Sequence, residues 1–125
     1  MTLLLDSHVL IWALFAPEKL APRARQTIAD GANAVFFSAA SIWEIAIKSS
    51  KRSLPVDDAF LQGAIALNFA ELSVRARHAW AVKFLPHLHG DPFDRILVAQ
   101  AQLEGMTLVT RDRFLGGYNV NILEA

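Results

Sequence analysis

The chain is 125 residues long and 54% hydrophobic, with 12 basic and 12 acidic side chains and no cysteine. That length fits one domain, spanning 1–125, that buries about two-thirds of its unfolded surface, and the apolar content excludes intrinsic disorder. The missing cysteines exclude a disulfide framework and thiolate metal sites, and the balanced charge removes the broad basic footprint of a protein that holds nucleic acid by bulk attraction.

From the first residue, Thr2, Leu3, Leu4 and Leu5 form a short apolar run that Asp6 and His8 interrupt. With no basic segment before it, this run does not read as a signal peptide. No stretch nears the ~18 apolar residues of a membrane span, so the expectation is a soluble, cytoplasmic protein without a membrane partner. The run reads as a buried strand feeding a helix, because Val9, Leu10, Trp12, Ala13 and Leu14 recur at helical spacing. Pro22 opens a second helix to Ala29, ended by Asp30-Gly31, and 34–37 reads as a second strand. Ser38 caps a helix from Ala39 to about Lys51, and Leu54-Pro55 breaks the chain. Asp57 caps a helix to about Leu67; 70–74 is a third strand, and 75–82 a helix. Pro86 to Gly90 is a loop. Asp91-Pro92 then opens a helix to about Glu104, with Gly105 as its C-cap. Residues 107–109 form a fourth strand and 118–122 a fifth.

Short all-apolar strands alternating with amphipathic helices predict an α/β domain whose mainly parallel sheet is covered on both faces. Ligand sites in such sheets gather outside the carboxyl ends of the strands. Asp6 follows the first strand and Asp112 the fourth, Glu44 lies two turns into the third helix, and Asp94 lies in the first turn of the helix before strand four. Four ionised carboxylates brought together there repel by about 3 kcal/mol per pair at ~5 Å and an effective dielectric near 20. Such a cluster must hold protons or divalent cations, and oxygen ligands favour Mg²⁺ or Mn²⁺ over zinc.

Each acid has an ordinary alternative. Asp6 and Asp112 can cap helices, Glu44 can pair with Lys48 at i,i+4, and Asp91 reads as an N-cap before Pro92. Their wording in order is more specific. Leu3-Leu4-Leu5-Asp6-Ser7-His8-Val9-Leu10-Ile11-Trp12 is followed by Ser38-Ala39-Ala40-Ser41-Ile42-Trp43-Glu44-Ile45-Ala46-Ile47-Lys48. Asp91-Pro92-Phe93-Asp94-Arg95-Ile96-Leu97-Val98-Ala99-Gln100-Ala101 and Thr107-Leu108-Val109-Thr110-Arg111-Asp112 come after. From Leu3 to about Leu123, the chain resembles the PIN-domain ribonucleases, and within them the VapC-type toxins of toxin–antitoxin pairs.

That resemblance implies a PIN-like three-layer fold of four to five strands flanked by helices. It also implies a metal-dependent endoribonuclease whose acidic quartet matches Asp6, Glu44, Asp94 and Asp112, with Asp91 as a cap or extra ligand. Mg²⁺ is the implied cofactor, with Mn²⁺ as substitute. RNA is the implied substrate, a cognate antitoxin the partner, and a homodimer the assembly. Ser7 and Thr110 read as hydroxyl donors beside the expected cluster, with Ser7 equally readable as a plain helix-start residue. Lys48, Lys51, Arg52, Arg95, Arg111 and Arg113 are either ordinary surface charge or phosphate-positioning groups. His8, His87 and His89 read as packing or solvated residues, with a zinc-binding pair at 87 and 89 a minor alternative. Trp12, Ile42, Ile45, Leu61 and Ile65 divide between core and partner surfaces. Competing functions are a phosphatase or phosphotransferase and a non-catalytic RNA- or protein-binding PIN domain. Asp6-Ser7-His8 lacks the second Asp of one phosphatase pattern, and no Gly-rich phosphate loop exists.

Overall fold

The computed structural model describes residues 1–51 and 56–125. Five strands, β1 (Thr2–Leu5), β2 (Ala34–Ser38), β3 (Ala70–Leu72), β4 (Thr107–Thr110) and β5 (Asn121–Glu124), form one sheet in the order β3-β2-β1-β4-β5. Every neighbouring pair is parallel. Crossovers build outward from β1 to β3, and the chain then returns to lay β4 and β5 on the other side. The strand order therefore reverses between β1 and β4, which is where a parallel sheet leaves a crevice at its carboxyl edge.

The crossovers are carried by α1 (Ser7–Phe15), α2 (Pro22–Ala29), α3 (Ala39–Ser50), α4 (Ala59–Ala66), α5 (Ala76–Ala81) and α6 (Pro92–Glu104). Single 3₁₀ turns lie at Pro17–Lys19, Val82–Phe84 and Arg113–Gly117. Side chains alternate across the sheet. Leu3, Leu5, Val35, Phe37, Val109 and Leu123 join one core with Val9, Leu10, Ala24, Phe60 and Ala64, from α1, α2 and α4. Leu4 and Leu108 join the other with Leu97, Val98 and Ala101 of α6. Covering both faces explains why the inner strands β1, β2 and β4 carry apolar residues at consecutive positions, while the edge strands β3 and β5 hold Glu71, Asn121 and Glu124. Truncating a fully buried leucine such as Leu4 costs about 2–5 kcal/mol.

Local signals set the helix ends. The Ser38 hydroxyl accepts the Ala40 N–H at 3.0 Å to start α3. Gly105, at φ 66°, ends α6 in the left-handed conformation that a side chain resists. Asp57 accepts the Ala59 N–H at 3.0 Å just before α4.

Two boundaries differ from the sequence reading. The fifth strand is Asn121–Glu124, not 118–122, because Tyr118 and Val120 sit in a turn closed by the Val120 N–H on the Tyr118 carbonyl, 2.9 Å. The third stops at Leu72, a three-residue edge strand paired only to β2. The Leu54-Pro55 break and Arg52 lie outside the described residues.

Candidate metal centre at the carboxyl edge

Three helix starts converge on the crevice, and each is capped by an aspartate. Asp6, directly after β1, accepts the Val9 N–H at 2.8 Å and begins α1. Asp112, two residues after β4, accepts the Phe114 N–H at 3.0 Å and begins the 3₁₀ turn. Asp91 accepts the N–H groups of Phe93, at 2.8 Å, and Asp94, at 3.4 Å, to begin α6. Capping fixes each carboxylate beside the positive end of a helix while leaving lone pairs for another partner. For Asp6 and Asp112, capping and a place in the acidic cluster therefore coexist.

Asp94 and Glu44 complete the group. Glu44 is 6% exposed. Its Oε1 accepts the Ser7 hydroxyl and its Oε2 pairs with Lys48 Nζ at 2.9 Å, so the expected helix pair exists inside the site. Burial pushes the Asp6 carboxyl up, while the Thr110 hydroxyl, the Val9 N–H and the charge of His8 pull it back and Glu44 adds to the rise. Burial likewise raises Asp94, to about 7; Asp91, Asp6 and Glu44 add to the rise, and His89 opposes it. These acids share one electrostatic field. Asp112 is tied in through Thr110, whose hydroxyl oxygen accepts the Asp112 N–H at 3.0 Å.

All four expected acids thus stand at the crevice. Among the described residues, however, the tightest set of potential ligand atoms is His89, Asp94 and Asp112, within 4.8 Å of one another. His89 corrects the sequence reading, which left it as a solvated loop residue. Its Nε2 lies 2.8 Å from Asp112 Oδ2 and 3.7 Å from Asp94 Oδ2. The available clue was position: two residues before the cap of a helix whose first turn carries a site acid. His87 and His8 are surface residues, the latter tilted against Trp12 at 6.0 Å.

The cations also sort differently. Arg95 is turned into the protein rather than to its surface. It is buried, donating from Nη1 to the Pro86 carbonyl (2.9 Å) and Tyr118 hydroxyl (3.1 Å), and from Nη2 to the Val82 carbonyl (3.2 Å). Arg113 pairs with Glu124 at 3.0 Å, Arg111 lies over the Trp12 ring at 5.0 Å, and Lys51 is exposed. Of the apolar residues left open, Ile45 is core, Trp12 and Ile42 are half-buried against it, and Leu61 and Ile65 are exposed.

The donor set suits a hard divalent cation: clustered carboxylates, two of them buried, with Asp94 driven towards protonation by burial and then by its acidic neighbours. Fold and site together define a parallel α/β domain with a carboxylate cluster at its switch point. The PIN-domain family profile matches residues 3–116, and the chain belongs to that family. It is 33% identical over 118 residues to Ribonuclease VapC22 of Mycobacterium tuberculosis, covering 91% of this chain and 89% of that one. The fold is similar to a chain of the VapBC2 complex of Rickettsia felis bound to a promoter DNA fragment, with a TM-score of 0.72, 16% identity, and 99% and 98% of the two chains covered. A chain of the DNA-bound VapBC complex of Salmonella typhimurium gives a TM-score of 0.65 at 14% identity, with the same coverage.

Proposed function

We propose that this single-domain chain is the toxin of a toxin–antitoxin pair: a cytoplasmic endoribonuclease that hydrolyses RNA with Mg²⁺, or Mn²⁺, held by Asp6, Glu44, Asp94 and Asp112. The observation that carries the reading is the convergence of these acids on the β1/β4 crevice, where burial first and the neighbouring carboxylates second raise Asp94 to about 7. Family membership and the VapC22 ribonuclease relative support it.

Each residue has a distinct task. Asp6, rooted at the end of β1 and held by Val9 and Thr110, is the central ligand. Asp94 and Asp112 flank it. Glu44, held at both oxygens by Ser7 and Lys48, is restrained enough to orient a water as well as bind. Asp91 spends one oxygen on two N–H groups and serves as the cap that aims the first turn of α6. A bound divalent cation supplies an activated water and absorbs charge developing on the phosphate. With 12 basic and 12 acidic side chains, bulk attraction for RNA is weak, so substrate selection falls to the shape of the crevice. The cognate antitoxin and a second copy of the chain are the proposed protein partners.

The test is cleavage of structured and single-stranded RNA by purified protein with Mg²⁺, Mn²⁺ or EDTA. Asp6→Asn, which still caps α1, should lower the rate at least ~100-fold, and EDTA should abolish cleavage. Cleavage that survives either change would overturn the mechanism. Inactivity of antitoxin-free protein on a broad RNA panel would favour a binding domain.

A further inference from the structure

We propose that His89 is a positioning residue: its ring donates a hydrogen bond that aims Asp112 at the cation, and the ring is not itself a ligand. This rests on the cation-centre reading above. By distance alone His89, Asp94 and Asp112 pass for a ligand triad. The other ring nitrogen decides between the two roles. His89 Nδ1 accepts the Asp91 backbone N–H at 3.1 Å, so Nδ1 presents its lone pair and Nε2 carries the hydrogen. An Nε2 bearing hydrogen donates to Asp112 Oδ2 at 2.8 Å and has no lone pair to offer a metal.

Exchanging the roles would place the ring hydrogen on Nδ1, facing the Asp91 N–H. Two donors would then meet at this partly buried contact, and the hydrogen bond between them would be lost. The Asp91 N–H has little freedom to turn aside. Its residue is fixed from one side by Pro92 and from the other by the carboxylate that caps α6. With His89 on Oδ2 and Phe114 on Oδ1, both oxygens of Asp112 are oriented before any cation arrives. A carboxylate held in this way is the usual support for a metal ligand. Asp94 Oδ2, at 3.7 Å, is too far for a second bond and stays available for coordination.

Two measurements on metal-free protein test this. Calorimetric titration with Mn²⁺ should show His89→Ala binding about 10–100-fold more weakly than wild type, with native thermal unfolding, and His89→Gln, whose amide can donate to Asp112, recovering most of the loss. The ¹⁵N ring shifts of His89 should report hydrogen on Nε2 both before and after saturation with Mg²⁺. This readout needs no variant, so it stands even where His89→Ala fails to fold. Wild-type affinity in His89→Ala, His89→Gln as weak as His89→Ala, or a ring hydrogen that moves to Nδ1 with Mg²⁺ would each overturn the positioning role. Folded wild type that binds no Mn²⁺ would instead overturn the cation-centre reading beneath it.

Discussion

Asp94→Asn should make the cation-free protein more stable while abolishing its activity. In the folded chain, burial first, then Asp91, Asp6 and Glu44, raise the Asp94 carboxyl from 3.8 to about 7 against the pull of His89. The folded state therefore holds this proton more tightly than the unfolded chain does. The resulting stability is complete below about pH 4 and is lost as pH rises through about 7. At ~1.36 kcal/mol per pH unit, the full shift bounds the loss at about 4 kcal/mol. The side chain keeps 22% of its surface exposed, and solvent screening and relaxation of its neighbours reduce the expected figure to about 1–2 kcal/mol. Asp6, also raised by burial, adds with the same sign. Asparagine resembles the protonated acid at every pH, so it escapes the Asp94 part of this loss. Urea unfolding in EDTA should show similar stabilities at pH 3.5, below the unfolded-state value, and a variant about 1–2 kcal/mol more stable at pH 8, or on the order of 4–8 °C in Tm. Millimolar Mg²⁺ should narrow or reverse the gap, because a cation that binds the native four-acid site stabilises it. A difference between the two proteins that is zero at pH 8, or equal at both pH values, would refute the reasoning.

Arg95→Ala should cost about 2–4 kcal/mol in urea unfolding, since it strips partners from the Pro86 and Val82 carbonyls and the Tyr118 hydroxyl. Arg95→Lys should recover little, because one ammonium cannot span that fork of acceptors; a stability change under ~0.5 kcal/mol would contradict the buried tether. Gly105→Ala should lower stability by about 1 kcal/mol at unchanged nuclease rate, reflecting φ 66° at the end of α6. Ser7→Ala, which frees one Glu44 oxygen, should weaken Mn²⁺ binding about tenfold or more with the fold intact, as calorimetry and thermal unfolding would show.

The strands at 2–5 and 34–37 are legible because a sheet covered on both faces needs apolar residues without alternation. The same logic misplaces the last strand. Tyr118 belongs to the core through its ring and its bond from Arg95, while its backbone belongs to a turn. The acids are legible because an aspartate at a strand end before a helix is placed by capping alone, and the crevice follows from strand order. Whether Glu44 meets Lys48 or the cluster is a false choice, since it pairs with Lys48 while its charge still raises Asp6 and Asp94. Arg95 is illegible because a charge in the first turn of a helix resembles a surface residue until residues 82–86 fold over it. His89 is illegible for a similar reason: its partner Asp112 lies 23 residues away, and a loop bond from Asp91 decides which nitrogen carries hydrogen.

The position of Mn²⁺ in soaked crystals, read from its anomalous signal, tests most directly whether the carboxyl-edge acids form the catalytic centre. The expected peak lies in the β1/β4 crevice, bonded to carboxylate oxygens of Asp6, Asp94 and Asp112 with Glu44 alongside, and with the His89 ring outside bonding distance. A crevice without a peak, while Mn²⁺ supports RNA cleavage in the same preparation, would contradict it.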